Sequence, residues 1–531
     1  MEKLLADMLH GVDYTAGSVI GGLLIRSVTA DSRKVEPGSL FVCVPGLVAD
    51  GHDFIEAAAA RGAVAIVANR KRLTTSGPGP GLPVIWVEDT RKAIGDIAAA
   101  FYDHPATELT LIGLTGTNGK TTTSFILEKI VRAAGGQPGV IGTINYRYSG
   151  RVLPASFTTP EPLQLQALLR EMADCGVTHV IMEVSSHALA MHRLQGLRFD
   201  VALFTNLTRD HLDFHEDMET YYQAKKRLFT DYLRPGGTAV VLVDDESKPG
   251  WGRRLYDEMG ILLADGRGTV LSCGLGLGHD ISVHDSTFGL EATTATITAR
   301  GWTFTVNTNL VGIFNLKNVL GAVGVATGLG LDPAMIARGL AAPIRVPGRL
   351  ETVAVDDDQG QALPAVFVDY AHTPDALQNV LSTLRQLQPE RLIVVFGCGG
   401  DRDPGKRRIM GEIAGQLADV VLITADNSRS ESTEVIMAEI EKGVVAAGKK
   451  AMAGPGSLAK GCYIAISSRG EAIAAAVDMA GARDIVLISG KGHETYQISA
   501  QGTVFFDDRL EVARCLNTRV INQGRDTRIE D

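Results

Sequence analysis

Short apolar runs recur along this chain, and alanine-rich or amphipathic stretches of helical length separate them. From Ile20 to about Pro105, the runs Leu40-Phe-Val-Cys-Val44, Ala63-Val-Ala-Ile-Val67 and Val84-Ile-Trp-Val87 alternate with alanine-rich segments from Phe54 to Arg61 and from Ala93 to Tyr102. That alternation predicts a small α/β unit. A middle region follows with apolar strands at Thr110 to Thr115, Thr178 to Glu183 and Val201 to Asn206. Beyond Pro343 and Pro347-Gly348, strands at Ala365 to Asp369, Leu392 to Phe396, Val420 to Thr424 and Ile485 to Ser489 alternate with helical segments, a second parallel, doubly wound pattern. Proline and glycine make Gly77-Pro-Gly-Pro-Gly81 a loop, and Gly454 to Gly461 reads as a loop insertion. The expectation is an α/β fold in three domains, 1–105, 106–344 and 345–531.

The stretch Thr110-Leu-Ile-Gly-Leu-Thr-Gly-Thr-Asn-Gly-Lys-Thr-Thr-Thr123 changes this picture from architecture to chemistry. An apolar strand runs into a glycine turn, and Phe125, Ile126, Ile130, Val131 and Ala134 then recur at helical spacing until Gly135-Gly136 stops the helix. Backbone N–H groups around Gly116, Thr117, Asn118 and Gly119 would face an anion at the positive end of that helix. Lys120 would add a full charge, and Thr121 and Thr122 hydroxyls, one of them suited to Mg²⁺. The usual phosphate-loop pattern puts its first glycine where Leu114 stands, so the strict spacing fails by one residue. The strand before and the helix after still favour a nucleotide polyphosphate over an incidental glycine turn.

Other positions carry weaker signals. Glu183 ends an apolar strand, where a carboxylate reaches Mg²⁺ held by phosphates; otherwise it is a surface residue at a strand end. His211 and His215 stand at zinc-ligand spacing but lack an evident third ligand, so His211 is the better helper at a magnesium site. The segment from Tyr222 to Phe229 reads as an ordinary amphipathic helix with solvated lysines, and nothing in its chemistry alone marks Lys225. Gly397-Cys-Gly-Gly-Asp-Arg402 resembles a dinucleotide turn but has Arg402 where the third glycine belongs, and a lone glycine pattern is weak.

Composition narrows the class. At 531 residues, with 51 basic and 61 acidic side chains and a net charge of -10, the chain lacks the basic excess of a nucleic-acid binder. Six cysteines with no Cys-x-x-Cys pair fit a reduced, cytoplasmic protein without structural zinc. The acidic start lacks a signal-peptide core, and no apolar stretch is long enough to insert in a membrane.

Taken in order, the motifs resemble those of the Mur ligases of peptidoglycan synthesis over nearly the whole chain. Besides Gly116-Thr-Asn-Gly-Lys-Thr121, they include Met182-Glu-Val-Ser-Ser-His-Ala-Leu189, Asp210-His-Leu-Asp213, Ala224-Lys225, Gly312-Ile-Phe-Asn-Leu-Lys-Asn318 and Val346-Pro-Gly-Arg-Leu-Glu351. Asp369-Tyr-Ala-His-Thr-Pro-Asp375, Gly397 to Asp403, Gly490-Lys-Gly-His-Glu494 and Phe506-Asp-Asp-Arg509 complete the set. The resemblance implies a UDP-substrate domain at 1–105, a central P-loop ATPase at 106–344 and a Rossmann-like amino-acid domain at 345–531. It implies the family member that adds the third amino acid to UDP-N-acetylmuramoyl-L-alanyl-D-glutamate, acting as a monomer with ATP and Mg²⁺. In family terms, Ser32, Thr158, Thr159, Ser185 and Arg193 contact the UDP-peptide, and Asn315, Arg349 and Asp369 serve ATP with the loop residues. Lys225 falls on the lysine that the family converts with CO₂ to a carbamate. Thr121, Glu183, His211 and the modified Lys225 would hold metal, with Lys120, Lys225 and His211 as the catalytic group.

Asp426-Asn-Ser-Arg429 bears on the choice of amino acid. The family's diaminopimelate-adding members carry Asp-Asn-Pro-Arg there, and lysine-adding members lack the arginine, so Arg402, Asp426, Asn427, Arg429, Gly490 and Glu494 are expected to bind meso-diaminopimelate. This chain departs from the family at Ser428, Arg408, Ser468 and Leu510. The alternatives are L-lysine as the added residue, a phosphotransferase or nucleotide switch using the same loop, and a silent module that binds UDP-peptides.

Overall fold

A computed structural model describes residues 2–17, 19–46, 49–72, 81–243, 250–290, 292–355, 363–452 and 459–526. Most of the two loop segments expected at Gly77–Gly81 and Gly454–Gly461 lies outside the described residues.

Three sheets carry the chain. In the first, parallel strands Ser27–Thr29, Ser39–Val42, Ala63–Asn69 and Val84–Val87 lie in that order, and Tyr14–Ala16 closes the far edge antiparallel. The second has eleven strands, with Thr110–Thr115 between His179–Glu183 and Phe199–Phe204. Its neighbours from Pro138–Ile141 across to Ile281–Phe288 are parallel, and antiparallel hairpins finish both edges. The middles of the central strands are apolar on both sides because both faces are covered: Leu111, Val180 and Ala202 pack into one core, and their neighbours Ile112, Ile181 and Leu203 into the other.

The third sheet orders Glu351–Thr352, Ala365–Asp369, Ile485–Ser489, Leu392–Phe396, Val420–Ile423, Cys462–Ala465 and Lys450–Ala451, parallel except for the first pair. Four of these strands end in loops on one edge, beginning at Tyr370, Gly397, Thr424 and Gly490. The glycines of Gly397-Cys-Gly-Gly400 serve packing: a Cβ at Gly397 would lie 2.2 Å from the Thr424 carbonyl oxygen, and one at Gly400 2.0 Å from that of Ser428. These two strand-end loops therefore lie backbone on backbone. Among the described residues, no helix is long and apolar enough to cross a membrane.

Candidate active site

The phosphate loop leaves its strand at Gly116, φ +143°, and enters the helix Lys120–Ala133 through Gly119, φ +89°. Neither turn admits a side chain easily. A Cβ at Gly116 would sit 2.0 Å from Thr205 Oγ1, and one at Gly119 2.3 Å from Asn318 Oδ1. Lys120 Nζ donates to the carbonyls of Gly116 at 2.7 Å and Thr117 at 2.9 Å. Asn118 is tied on its backbone N–H to Asn206 Oδ1 at 2.9 Å. Thr122 is buried beneath the loop.

Lys225 is where the structure corrects the sequence reading. Its helix, Met218–Thr230, turns Tyr221, Tyr222, Ala224, Lys225, Leu228 and Phe229 inward, and Lys225 is 1% exposed. The lysine falls four residues from both Tyr221 and Phe229, so helical periodicity puts it on the apolar face. Its Nζ lies over the Tyr221 ring at 4.5 Å and donates to the Gly116 carbonyl at 2.9 Å, the same acceptor that Lys120 uses. Burial, reinforced by the Lys120 charge, drives the Lys225 amine well below the usual lysine range. Lys120 is lowered too, by burial against the pull of Glu183 and Asp210.

Glu183 is buried at the end of its strand and gathers hydroxyls. Thr121 Oγ1 and Thr143 Oγ1 each donate to its Oε2 at 2.9 Å, and the Thr143 N–H to Oε1 at 3.1 Å. Thr158 Oγ1 lies 3.1 Å from Thr143 Oγ1. Thr159 is wholly buried, its hydroxyl joining the Glu183 carbonyl at 2.9 Å to the Ser185 N–H at 3.0 Å. Ser185 caps the short helix Ser186–Ala190, and Arg193 donates to the Thr159 carbonyl at 3.1 Å while pairing with Glu161. Four of the five residues expected at the UDP-peptide thus share one neighbourhood with Glu183. Ser32 lies apart from these contacts, on the turn Ser32–Lys34 that Asp31 caps.

Among the described residues, no cluster of three or more His, Cys, Asp and Glu side chains is arranged to hold a metal. That excludes a dedicated protein cage there but fits Mg²⁺, which is commonly held by one or two carboxylates together with substrate phosphates. The hard oxygens of Thr121 and Glu183 suit such an ion. His211 heads the helix Leu212–His215 in the left-handed region, φ +54°. Burial lowers its imidazole to about 4 against the pull of Asp210, so the ring is neutral near pH 7 and free to act as a ligand. His215 is committed elsewhere, 2.8 Å from Ser186 Oγ and stacked on Tyr221.

Asn315 and Asn318 are both buried on the helix Ile313–Gly328. Asn315 donates to the Val311 carbonyl at 2.9 Å and accepts from Asn318 at 3.2 Å, which aims Asn318 Oδ1 at Gly119. Asn318 is the partner of the loop that sequence reasoning quoted within a motif without giving it a role. Asp369 accepts N–H bonds from Leu350 at 2.6 Å and Ala371 at 2.7 Å, and Arg349 lies over the Tyr370 ring at 4.4 Å.

The strand-end loops of the third sheet face His211 across a cleft of about 380 Å³. Arg402, Asp426, Asn427, Arg429, Gly490 and Glu494 all line it. Arg429 is half-buried at φ +53°, its N–H donating to the Ile498 carbonyl at 3.2 Å and its Nη1 to Gly400 at 2.8 Å and Asn427 at 3.3 Å. Among the described residues, Nη2 and Nε have no hydrogen-bond partner. It precedes the helix Thr433–Ala446, whose cap is Ser432, so it is no solvated helix-start residue. Burial raises Glu494; burial would also raise Asp426, but Arg469 and Lys491 outweigh it and hold that carboxyl low. Three of the departures from the family pattern fall where they cost little: Arg408 and Leu510 are exposed, and Ser468 caps the helix Arg469–Met479 as an aspartate would; the fourth, Ser428, is buried in the loop between Asn427 and Arg429.

Comparison with known proteins agrees with this architecture. Residues 24–102 match a model described as the Mur ligase family, catalytic domain; residues 114–326 the Mur ligase middle domain; residues 348–492 the Mur ligase, glutamate ligase domain. The UDP-N-acetylmuramoyl-L-alanyl-D-glutamate–2,6-diaminopimelate ligase of Geobacter metallireducens is 44% identical over 518 residues, covering 96% of this chain and 97% of that one. Its namesake in Geobacillus thermodenitrificans is 43% identical over 92% of this chain and 94% of its own. A solved structure of a ligase of the same name superposes with TM-score 0.67 at 31% identity, covering 95% and 97% of the two chains. At 20% identity, the MurF ligase of Thermotoga maritima, solved with ADP, shares the fold with TM-score 0.59 over 94% of this chain and 98% of that one. With relatives above 40% identity across almost its full length, this chain belongs to the Mur ligase family.

Proposed function

We propose that this protein is an ATP-dependent ligase that joins meso-diaminopimelate to UDP-N-acetylmuramoyl-L-alanyl-D-glutamate. The observation that carries the reading is the single cleft in which Arg402, Asp426, Asn427, Arg429, Gly490 and Glu494 line one wall and His211 the other. Relatives named for this reaction support it.

A carboxylate is a poor electrophile, so amide formation in water needs a better leaving group on it. The D-glutamyl carboxylate attacks the γ-phosphorus of ATP and releases ADP. The amine of the incoming amino acid then adds to the acyl phosphate, and phosphate leaves from the tetrahedral intermediate. Lys120 offsets the repulsion between the two anions that must meet in the first step, and the Gly119 turn lets the loop N–H groups approach the phosphates. Thr121 and Glu183 would hold one Mg²⁺, with His211 and a carbamate on Lys225 at a second; bound there, the metal would neutralise charge on the transferring phosphoryl group.

Lys225 suits carbamate formation. A neutral amine attacks CO₂ and loses a proton, and burial shifts this amine toward that form. The product anion would lie beside the Lys120 ammonium, an attraction that neither the free amine nor an ammonium at Lys225 offers.

For the amino acid, the distal carbon of meso-diaminopimelate bears a carboxylate that lysine lacks. A guanidinium binds a carboxylate through two parallel N–H bonds and gains nothing from a distal carbon bearing only ammonium. Nη2 and Nε of Arg429 supply that fork.

Mass spectrometry of the product formed from the UDP-peptide, ATP and an equimolar mixture of meso-diaminopimelate and L-lysine tests the reading. The expected result is the diaminopimelate adduct with stoichiometric ADP and phosphate, and an Arg429→Ala enzyme with kcat/KM for meso-diaminopimelate lowered roughly 30-fold or more. A lysine adduct, a phosphorylated product or binding without turnover overturns it.

A further inference from the structure

Three residues of the amino-acid wall converge on a group that the sequence reading left without a role. Lys491 is fully buried, and its Nζ lies 2.9 Å from Asn427 Oδ1, 3.4 Å from Asp426 Oδ1 and 3.4 Å from Glu494 Oε2. The hairpin formed by Tyr496–Ser499 and Gly502–Phe505 closes over it: the Ile498 N–H also donates to Asn427 Oδ1, at 3.0 Å, and the Tyr496 ring lies 5.8 Å from the ammonium. With two donors on its amide oxygen, Asn427 has only one possible orientation. Its Nδ2 therefore points the other way and donates to Glu494 Oε2 at 2.9 Å. Glu494 is thus gripped by one oxygen, and among the described residues Oε1 has no hydrogen-bond partner.

Charge makes the arrangement specific. Asp426 and Glu494 set two carboxylates against one ammonium, because Arg469 is committed to Asp508 by two bonds of 2.7 Å. One negative charge is left over among these groups, which suits the ammonium of a carbon that also bears a carboxylate.

We propose that Lys491 is a positioning residue of the amino-acid subsite: through Asn427 it fixes Glu494 so that Oε1 faces the cleft as an ionised acceptor for the distal ammonium of the ligand. This rests on the diaminopimelate reading above. The charged and titratable groups facing Glu494 are Lys491 on its own loop, Asp426 on the neighbouring strand-end loop, Tyr370 after its strand, Arg469 at its helix start and Tyr496 on the hairpin. Burial opposes the charge on Glu494, and Lys491 is the largest influence restoring it.

The test is steady-state kinetics of the full-length enzyme with meso-diaminopimelate varied, from neutral into acidic pH. In Lys491→Met, KM for the amino acid should rise about 10-fold or more while KM for ATP and for the UDP-peptide holds. The acid limb of kcat/KM should move to higher pH by about one unit, because a carboxylate that loses its cation titrates higher. Lys491→Arg, which keeps the charge, should leave the limb in place with an intermediate KM. Lys491→Met in a Glu494→Gln background should add no further loss. A lowered kcat with an unmoved limb and unmoved KM would mark a merely structural lysine and overturn the proposal. If Lys491→Met does not fold, an unchanged KM in Lys491→Arg overturns it equally. A wild-type enzyme that adds no diaminopimelate defeats the functional reading first, an outcome seen before any variant is made.

Discussion

The two lysines on the Gly116 carbonyl are chemically alike in sequence and opposed in role. Lys120 sits at the head of a helix, where no backbone N–H can replace a full charge on a transferring phosphoryl group. Lys120→Ala should reduce ATP turnover to near background while UDP-peptide binding, measured by calorimetry, persists; near-normal turnover would remove the phosphate-loop assignment. Lys225 acts only if it stops being a cation, since an ammonium repels Mg²⁺ and a carbamate presents two hard oxygens. Lys225→Ala should be inactive and recover in part with added short carboxylates, and wild-type protein in ¹³C-bicarbonate should give a carbamate resonance that the variant lacks. Full activity in Lys225→Ala would leave Lys225 a buried lysine with no part in the reaction. The signal for its burial was present in the sequence, in the four-residue spacing to Tyr221 and Phe229, but a lysine on an apolar face reads as solvated until its acceptor is known.

Among the elements, strands were the most legible. Runs such as Leu392–Phe396 and residues 485–488 are apolar at every position because helices cover both faces, and no polar alternation blurs their limits. The phosphate loop was legible for the same reason, its parts being neighbours in sequence. Partnerships across long separations were not. Arg469 and Asp508 lie 39 residues apart, and nothing in either segment announces that both side chains are wholly buried on each other. That pair fastens the final helix, Asp508–Asp526, against Arg469–Met479, while Arg469 also donates to the carbonyls of Ala425 at 3.2 Å and Ser489 at 3.0 Å beneath the amino-acid cleft. Removing one partner leaves a buried carboxylate unpaired, so Arg469→Leu should lower stability to urea by about 3–5 kcal/mol. Arg469→Leu with Asp508→Leu should recover part of that loss, the remainder reflecting the two carbonyls left without a donor. A single variant as stable as wild type would show that the pair contributes no net stability.

At the scale of the molecule, the chemistry requires an amine held by the third sheet to reach an acyl phosphate made at the second. One carboxylate oxygen bridges the two sheets at the cleft. Asp375 Oδ2, in the first turn of the helix Pro374–Gln386, accepts from Asn118 Nδ2 of the phosphate loop at 3.0 Å and from Thr208 Oγ1 at 3.2 Å. Arg209 and Asp403 add a looser pair at 3.5 Å. A hydrogen bond to a charged group is worth about 1.5–3 kcal/mol, so losing this junction should be felt as a factor of roughly 10–100. The loss belongs in kcat, because neither substrate needs the junction in order to bind its own sheet. Asp375→Ala should therefore slow turnover by about that factor with KM for the UDP-peptide unchanged. Asn379 provides the control, since its Nδ2 bonds the same oxygen at 3.2 Å from within the same helix and spans no gap between sheets. Asn379→Ala should retain turnover. Equal losses in the two variants, or none in Asp375→Ala, would mean that the alignment of the two sheets does not depend on this carboxylate and that the apolar contacts around Gly312 and Thr383 hold it alone.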